Sequence, residues 1–365
     1  MSARRVILVA ALVALAVVLV TWQLAAHMLP GLLPPAPAAR GTPAAHAHVF
    51  DALRELDSAT WLDGRAPADK HWRAGRFVLC AFSDSDPRAL AMLPVLQAWH
   101  AAYAAHGVTI IALHSPEYAF AADSGVTGRL ARRLGLTLPV ALDPDGSIAR
   151  ALGGMADGPR VIAGDAAASR ITSDSGSLAG AAGLLAAVRA AMDLPALPVL
   201  HLALPKVLRT IRLGAGAVSA GPFHGVPVGH EQIYSAEFRY QEQGQGDVPY
   251  PLGGWRMGAD GVTATRGGAA EVLSIKYSAG RAGVVLSPPA DGPVRVWLLH
   301  DERWPVARDR DEDIQTDSRG AAFVDVREPR LYWIDRGSGE RVLKLSPDRA
   351  GLTVHAFVAT SARRE

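Results

Sequence analysis

The chain contains one cysteine, Cys80, so no intramolecular disulfide can form and no resolving thiol exists within it. Cys80 lies in the apolar run 78–82, where thiols are usually buried and inert. A reactive thiol needs a helix N-terminus or a cationic neighbour, and the sequence offers neither at this position. Asp86 followed by Pro87 marks a helix start. The carboxylate can accept from backbone N–H groups left free in the first turn, and a proline there gives up no needed donor. Such a terminus stabilises an anion, whether thiolate or carboxylate. Ser83 and Ser85 have no base and orienting acid in view, so serine hydrolase chemistry is not expected. His114 and Glu117 lie three apart with no third ligand nearby, and no metal site is expected there.

Other polar clusters carry less. Asp309, Asp311 and Asp313 alternate as in a calcium loop, yet the sixth and twelfth loop positions, where an EF-hand needs glycine and glutamate, hold Ile314 and Gly320. A solvated loop between strands is the expectation. The segment 214–221, G-A-G-A-V-S-A-G, neither follows a clear strand nor opens a clear helix, so it is not a phosphate loop, and no cofactor is expected. His46 and His48 read as linker residues, and His100 and His106 as solvated or partly packed positions of a long helix or its end. Trp255, Trp297, Trp304 and Trp333 cluster in the second half, where they could line a carbohydrate groove or simply pack. A formal charge of +2 gives no pull toward nucleic acid.

The elements that must position these residues fall into two regions. Residues 77–82 read as a strand feeding a helix over 87–105, with Leu90, Leu93, Leu96, Trp99 and Tyr103 at helical spacing. Strands follow at 108–113, 139–142, 160–162 and 169–173, with helices at 128–134, 147–152 and 177–192. That alternation predicts a mostly parallel sheet covered on both sides. Prolines at 195, 198 and 205 mark residues 195–208 as a linker. Beyond it, short β-type segments separated by Gly, Pro and Asp predict an all-β sandwich or jelly roll over residues 209–361.

At the amino terminus Arg4 and Arg5 precede an uncharged apolar stretch, and residues 1–28 read as an uncleaved transmembrane anchor. The next basic residue is Arg40, so the bulk of the chain is expected outside the cytoplasm, on a bacterial inner membrane. Residues 29–48, rich in Pro and Ala, read as a stiff tether to a first domain over 49–194.

The chain resembles the extracytoplasmic part of DipZ-type cytochrome c biogenesis proteins and their TlpA-like thioredoxin relatives. The resemblance rests on L-P-V-L-Q-A-W at 93–99, G-V-T-I-I-A-L-H-S-P-E-Y-A-F at 107–120 and R-R-L-G-L-T-L-P-V-A-L-D at 132–143. His114, Pro116, Glu117, Tyr118, Ala119 and Phe120 match a family string in order. L-G-G-W at 252–255, E-P-R-L-Y at 328–332 and V-H-A-F at 354–357 resemble the β-domain that follows in those proteins. In thioredoxin-like proteins a helix proline lies five residues after the second cysteine of a C-x-x-C pair. Counting back from Pro94 puts Asp86 and Ala89 at the cysteine positions. The resemblance implies a thioredoxin-like domain and, by chain order, a cis-proline loop at Pro159, facing Asp86 and Pro87 across a peptide groove. It also implies a multi-helix membrane domain ahead of this region, where here there is one hydrophobic segment. The expected function is a tethered, non-redox binding or assembly module for a periplasmic or membrane protein. A single-cysteine oxidoreductase using Cys80, and ligand binding by the β-domain, are the alternatives.

Overall fold

A computed structural model describes residues 47–67, 72–155, 158–177, 179–192, 205–235 and 246–361. The anchor, most of the tether and most of the linker expected from the sequence lie outside them. Among the described residues no helix is long and apolar enough to cross a membrane.

The first region is a six-stranded sheet with helices on both faces. In chain order it comprises α1 (Ala47–Glu55), β1 (Thr60–Trp61), β2 (Arg76–Phe82), α2 (Pro87–Tyr103), β3 (Val108–His114), α3 (Ser124–Arg133), β4 (Val140–Leu142), α4 (Ser147–Ala151), β5 (Arg160–Asp165), β6 (Arg170–Ser175) and α5 (Ala179–Met192). The strand order is β1-β4-β3-β2-β5-β6. Alternation decides which face each side chain serves. Val78, Cys80 and Phe82 of β2 join a core with Leu93, Leu96 and Trp99 of α2. Phe77, Leu79 and Ala81 face the opposite way, toward Val49, Leu53, Trp72 and Ile148. A central strand buried on both faces reads as a continuous apolar run, which is why β2 and β3 are so plain in the sequence.

The expectation of a mostly parallel sheet is corrected. Only β2–β3 and β3–β4 pair in parallel, whereas β1–β4, β2–β5 and β5–β6 are antiparallel. The chain between β5 and β6 holds only four residues, 166–169, a hairpin turn too short for a crossover, and no alternation of apolar runs reveals that.

The second region is built wholly from strands: β7 (Val207–Arg212), β8 (Glu231–Tyr234), β9 (Pro249–Met257), β10 (Val262–Ala264), β11 (Val272–Ala279), β12 (Arg281–Ser287), β13 (Val294–His300), β14 (Gln315–Thr316), β15 (Ala322–Val326), β16 (Arg330–Asp335), β17 (Gly339–Pro347) and β18 (Thr353–Thr360). Two ladders share β9. Its first half pairs with β11 from Pro249 to Leu252, and its second half pairs with β8 and β10 from Gly253 to Met257. The hand-over falls at Gly253, whose φ of +87° is open to glycine and strained for other residues. Leu273, Val296, Leu298 and Leu345 of one ladder share a core with Trp255, Val284, Leu286 and Val354 of the other, as in a sandwich.

Three sequence expectations change here. β7 begins at Val207, so residues 207–208 belong to a strand and not to the linker. β8 and β9 were not anticipated, because Pro249, Pro251 and two glycines interrupt the pattern of β9. The acidic loop is strapped down where solvation was expected. Asp309 pairs with Arg341 at 2.9 Å, Asp311 with Arg281 at 2.5 Å and Asp313 with Arg330 at 2.5 Å, tying residues 309–313 to β17, β12 and β16.

Candidate functional site

The site assembles where β2 and β3 end and α2 begins. Asp86 is the N-cap of α2, with extended φ and ψ of −86° and 116°, and its carboxylate accepts from the Arg88 amide at 2.8 Å. The Arg88 side chain folds back onto the same carboxylate through Nε at 3.1 Å and Nη2 at 2.8 Å. Pro87 and Ala89 are buried in the first turn. Asp86 thus faces outward at the helix start while Ala89 points into the core, and neither carries sulfur. Pro94 sits inside the helix, which continues through it to Tyr103, and Trp99 packs in the core below.

Cys80 is fully buried on the α2 side of the sheet. Burial, with a smaller contribution from the Asp86 charge, pushes its thiol pKa up to about 12. A thiolate is strongly disfavoured there, the opposite of what a redox nucleophile requires.

Beside the helix start runs a polar relay that sequence reading missed. Ser83 and Ser85 share a hydroxyl bond of 2.7 Å, and Ser85 donates to Glu117 Oε2 at 2.7 Å. The other Glu117 oxygen accepts from Arg212 of β7, through Nε at 2.8 Å and through Nη2. Both Asp84 carboxylate oxygens are buried without a hydrogen-bond partner. His114 turns away from Glu117. Its ring meets Phe82 edge-on at 5.3 Å and Nδ1 lies 3.2 Å from the Thr127 hydroxyl, while Nε2 is buried without a partner. The pair therefore does not converge on a metal, and among the described residues no group of three such ligands does.

The string 114–120 has a clear structural role: it joins the two regions. After Pro116, Glu117 takes Arg212, and Tyr118 packs with Val285, Leu331, Trp333, Ala356 and Val358 of the β-domain. Phe120 stacks on Tyr118 at 5.7 Å, and His355 meets the two rings at 5.1 and 4.9 Å. The Ala119 amide donates to Asp260 at 2.7 Å. Arg129 and Arg133 of α3 reach Glu328 at 3.0 and 2.8 Å.

Pro159 lies buried just ahead of β5, the strand antiparallel to β2, so its place in the chain order is as expected. The cis geometry implied by resemblance is not present. No cis peptide occurs among the described residues, and the chain turns here instead at Gly158, with φ of +119°. Gly158 is pressed against Arg88, for a Cβ there would lie 2.2 Å from its guanidinium. Arg88 fills the space between the helix start and the loop.

A cleft of about 510 Å³ opens at this place. Its walls are the helix start (Asp86, Pro87, Arg88), the Ser83–Ser85–Glu117 relay, Met155 and Gly158 of the loop, and most of β7. The β-domain therefore supplies one wall of the groove beside the former dithiol position.

The tryptophans separate into two sets. Trp255 and Trp333 are buried, the latter under the Arg281 guanidinium at 3.7 Å. Trp297 lies 6.2 Å from Trp304, which is 42% exposed and borders a second cleft of about 490 Å³ with His300, Asp301 and Arg341.

No protein-family model matches the chain. It is 35% identical over 86 residues to DipZ of Mycobacterium bovis and to DipZ of Mycobacterium tuberculosis, a match that takes in 23% of this chain. The chain spans about an eighth of the length of these curated relatives, 12%. Among solved structures it is similar to a secreted Mycobacterium tuberculosis disulfide oxidoreductase homologous to E. coli DsbE, with 21% identity, 36% of this chain and 93% of that one covered, and a TM-score of 0.28. It is also similar to DsbF of M. tuberculosis in its mixed oxidized and reduced forms, with 18% identity, coverage of 36% and 92%, and a TM-score of 0.29. The chain thus carries a thioredoxin-like domain of the DipZ and TlpA type, and with one cysteine it lacks the C-x-x-C pair.

Proposed function

We propose that the chain is a membrane-tethered, extracytoplasmic binding module that keeps a thioredoxin-like groove and has given up thiol chemistry. One observation carries the reading: the helix start that would hold a nucleophilic thiolate is occupied by Asp86, neutralised by Arg88, while Cys80 is sealed in the core. The helix terminus still favours an anion, and the anion is now structural. A periplasmic or membrane protein is the proposed partner, held in the cleft between the helix start, the Pro159 loop and β7. The apolar segment 6–28 supports the tether and the periplasmic location, in the way a basic flank orients a span.

The full chain, purified in detergent, is to be assayed for reduction of insulin by dithiothreitol. The expected result is no acceleration over dithiothreitol alone. A rate comparable to that of a relative with an intact cysteine pair would overturn the reading. Photo-crosslinking from position 155 in native membranes should then retain a protein partner.

A second reading places a glycan on the β-domain. It is favoured by His300, which is 5% exposed with both ring nitrogens unpartnered, at a cleft bordered by the exposed Trp304. Hydroxyl groups would satisfy the imidazole, and the indole offers a stacking face. Retention on immobilised glycans that disappears in Trp304→Ala would support it.

A further inference from the structure

β7 is an edge strand whose outer side borders the cleft. Among the described residues it pairs only with β18. The Leu213 amide donates to the His355 carbonyl at 2.8 Å, which sets the phase of the ladder. In an antiparallel pair successive residues alternate in direction, so Ile211 and Arg209 bond toward β18, while the N–H and C=O of Thr210 and Arg212 point outward. The cleft is lined by Val207, Leu208, Arg209 and Thr210 in unbroken succession. Side chains of consecutive strand residues lie on opposite faces, so a cavity touching all four runs along the backbone edge and not over one face.

We propose that this edge captures an extended polypeptide by strand addition, the new strand lying between β7 and the start of α2. The inference rests on the groove reading above and names how the groove is used. An outward edge offers donors and acceptors about 6.8 Å apart, a spacing that an extended peptide backbone matches. Natural sheets usually blunt such edges. Here Leu208 stands 48% exposed on the strand, with Met155 and Pro87 across the cleft. Arg88, Arg209 and Arg212 against Asp86 and Glu117 leave the lining one positive charge in excess, which favours a peptide bearing a carboxylate. The occupant is therefore an extended segment with alternating apolar residues and an acidic group.

The probe is a fluorescein-labelled heptapeptide, Val-Thr-Val-Ser-Val-Thr-Asp, titrated into the full chain in detergent and followed by anisotropy. Saturable binding is expected. An analogue N-methylated on alternate residues keeps every side chain but cannot complete a ladder, and should bind at least tenfold more weakly. Thr210→Pro should cause a similar loss with an unchanged unfolding midpoint, because the amide it removes makes no bond to β18. Equal affinity for the parent and both N-methylated registers would overturn the inference, as would absence of saturable binding at millimolar peptide. A dimer by sedimentation that excludes the peptide would also overturn it, assigning the edge to a second copy of the chain. If Thr210→Pro binds normally while Met155→Arg does not, strand addition fails and the groove reading survives. Retention of a partner by crosslinking from position 155 is scored separately, so loss of one result does not decide the other.

Discussion

Arg212 donates from both Nε and Nη2 to one carboxylate oxygen of Glu117, and Ser85 donates to the other. The two ion-paired residues are 95 positions apart, so the bond fastens the β-domain to the lip of the former dithiol site. Burial beside this pair raises the Tyr118 pKa, and the Arg212 pKa is raised by the Glu117 charge and hydrogen bonds against the opposing effect of its own burial. Arg212 is half exposed, so the pair itself should contribute only about 0.5–1 kcal/mol. Replacement of Glu117 by Ala should cost more than that of Arg212 by Ala, since it also strands Ser85. Urea unfolding of both single variants and the double variant gives the coupling directly, and a coupling near zero would show that the bond does not fasten the junction.

Acid should weaken the fold before it reaches the carboxylates. Burial lowers the pKa of His355, His300 and His100 below the usual 6.5. In His355 the ring is bonded as a neutral group: Nδ1 donates to the Asp260 carbonyl and Nε2 accepts from Ser287, each at 2.8 Å. At His300 the Asp335 charge opposes the lowering and the Arg341 charge adds to it. A base held below its unfolded pKa binds fewer protons in the folded state, so its contribution is complete above pH 6.5 and declines as pH falls toward the folded value. The urea midpoint should therefore fall between pH 7.5 and pH 5. His355→Gln, which cannot titrate, should flatten part of that slope, and an unchanged slope would remove His355 from the account.

Gly253 is the point at which β9 passes from one ladder to the other. A Cβ there would lie 2.1 Å from the Glu271 carboxylate, which already accepts from the Gly254 amide at 2.5 Å and pairs with Arg266 at 2.9 Å. Gly253→Ala combines a left-handed backbone with displacement of a buried carboxylate. It should cost at least about 1–3 kcal/mol, read as a lower urea midpoint, whereas Gly225→Ala, with open space around it, should cost only the backbone strain.

What could be read in the sequence was what local chemistry dictates. The apolar runs of β2 and β3, and Asp86 before Pro87, announce two strands and a helix start, because burial on both faces and the needs of free amides leave few alternatives. The site's other wall was not legible. Arg212 gains its meaning from Glu117 across the fold, and Val207 and Leu208 were absorbed into a proline-marked linker although V-L-R-T-I-R alternates like a strand. The acidic loop was misread for the same reason, since the partners of Asp309, Asp311 and Asp313 lie on three separate strands. Pro159 was placed by order alone, and order does not specify the isomer of its peptide bond.

The assignment of Asp86 and Ala89 to the lost cysteine positions is open to reconstruction. In Asp86→Cys, Ala89→Cys the first thiol would replace the N-cap carboxylate and the second would enter a fully buried position. Loss of the cap should cost about 0.5–2 kcal/mol, and the added sulfur at 89 about 1–3 kcal/mol of overpacking. The helix terminus, with Arg88 released from Asp86, should lower the first thiol's pKa below the roughly 8.5 of a free cysteine. Oxidation should then join the two inserted cysteines, and insulin reduction should appear when reductant is supplied. Cys80 should stay unlabelled by iodoacetamide until the protein unfolds, which keeps the thiol count interpretable. A folded double variant that forms no disulfide under oxidising conditions would show that positions 86 and 89 do not correspond to a dithiol site.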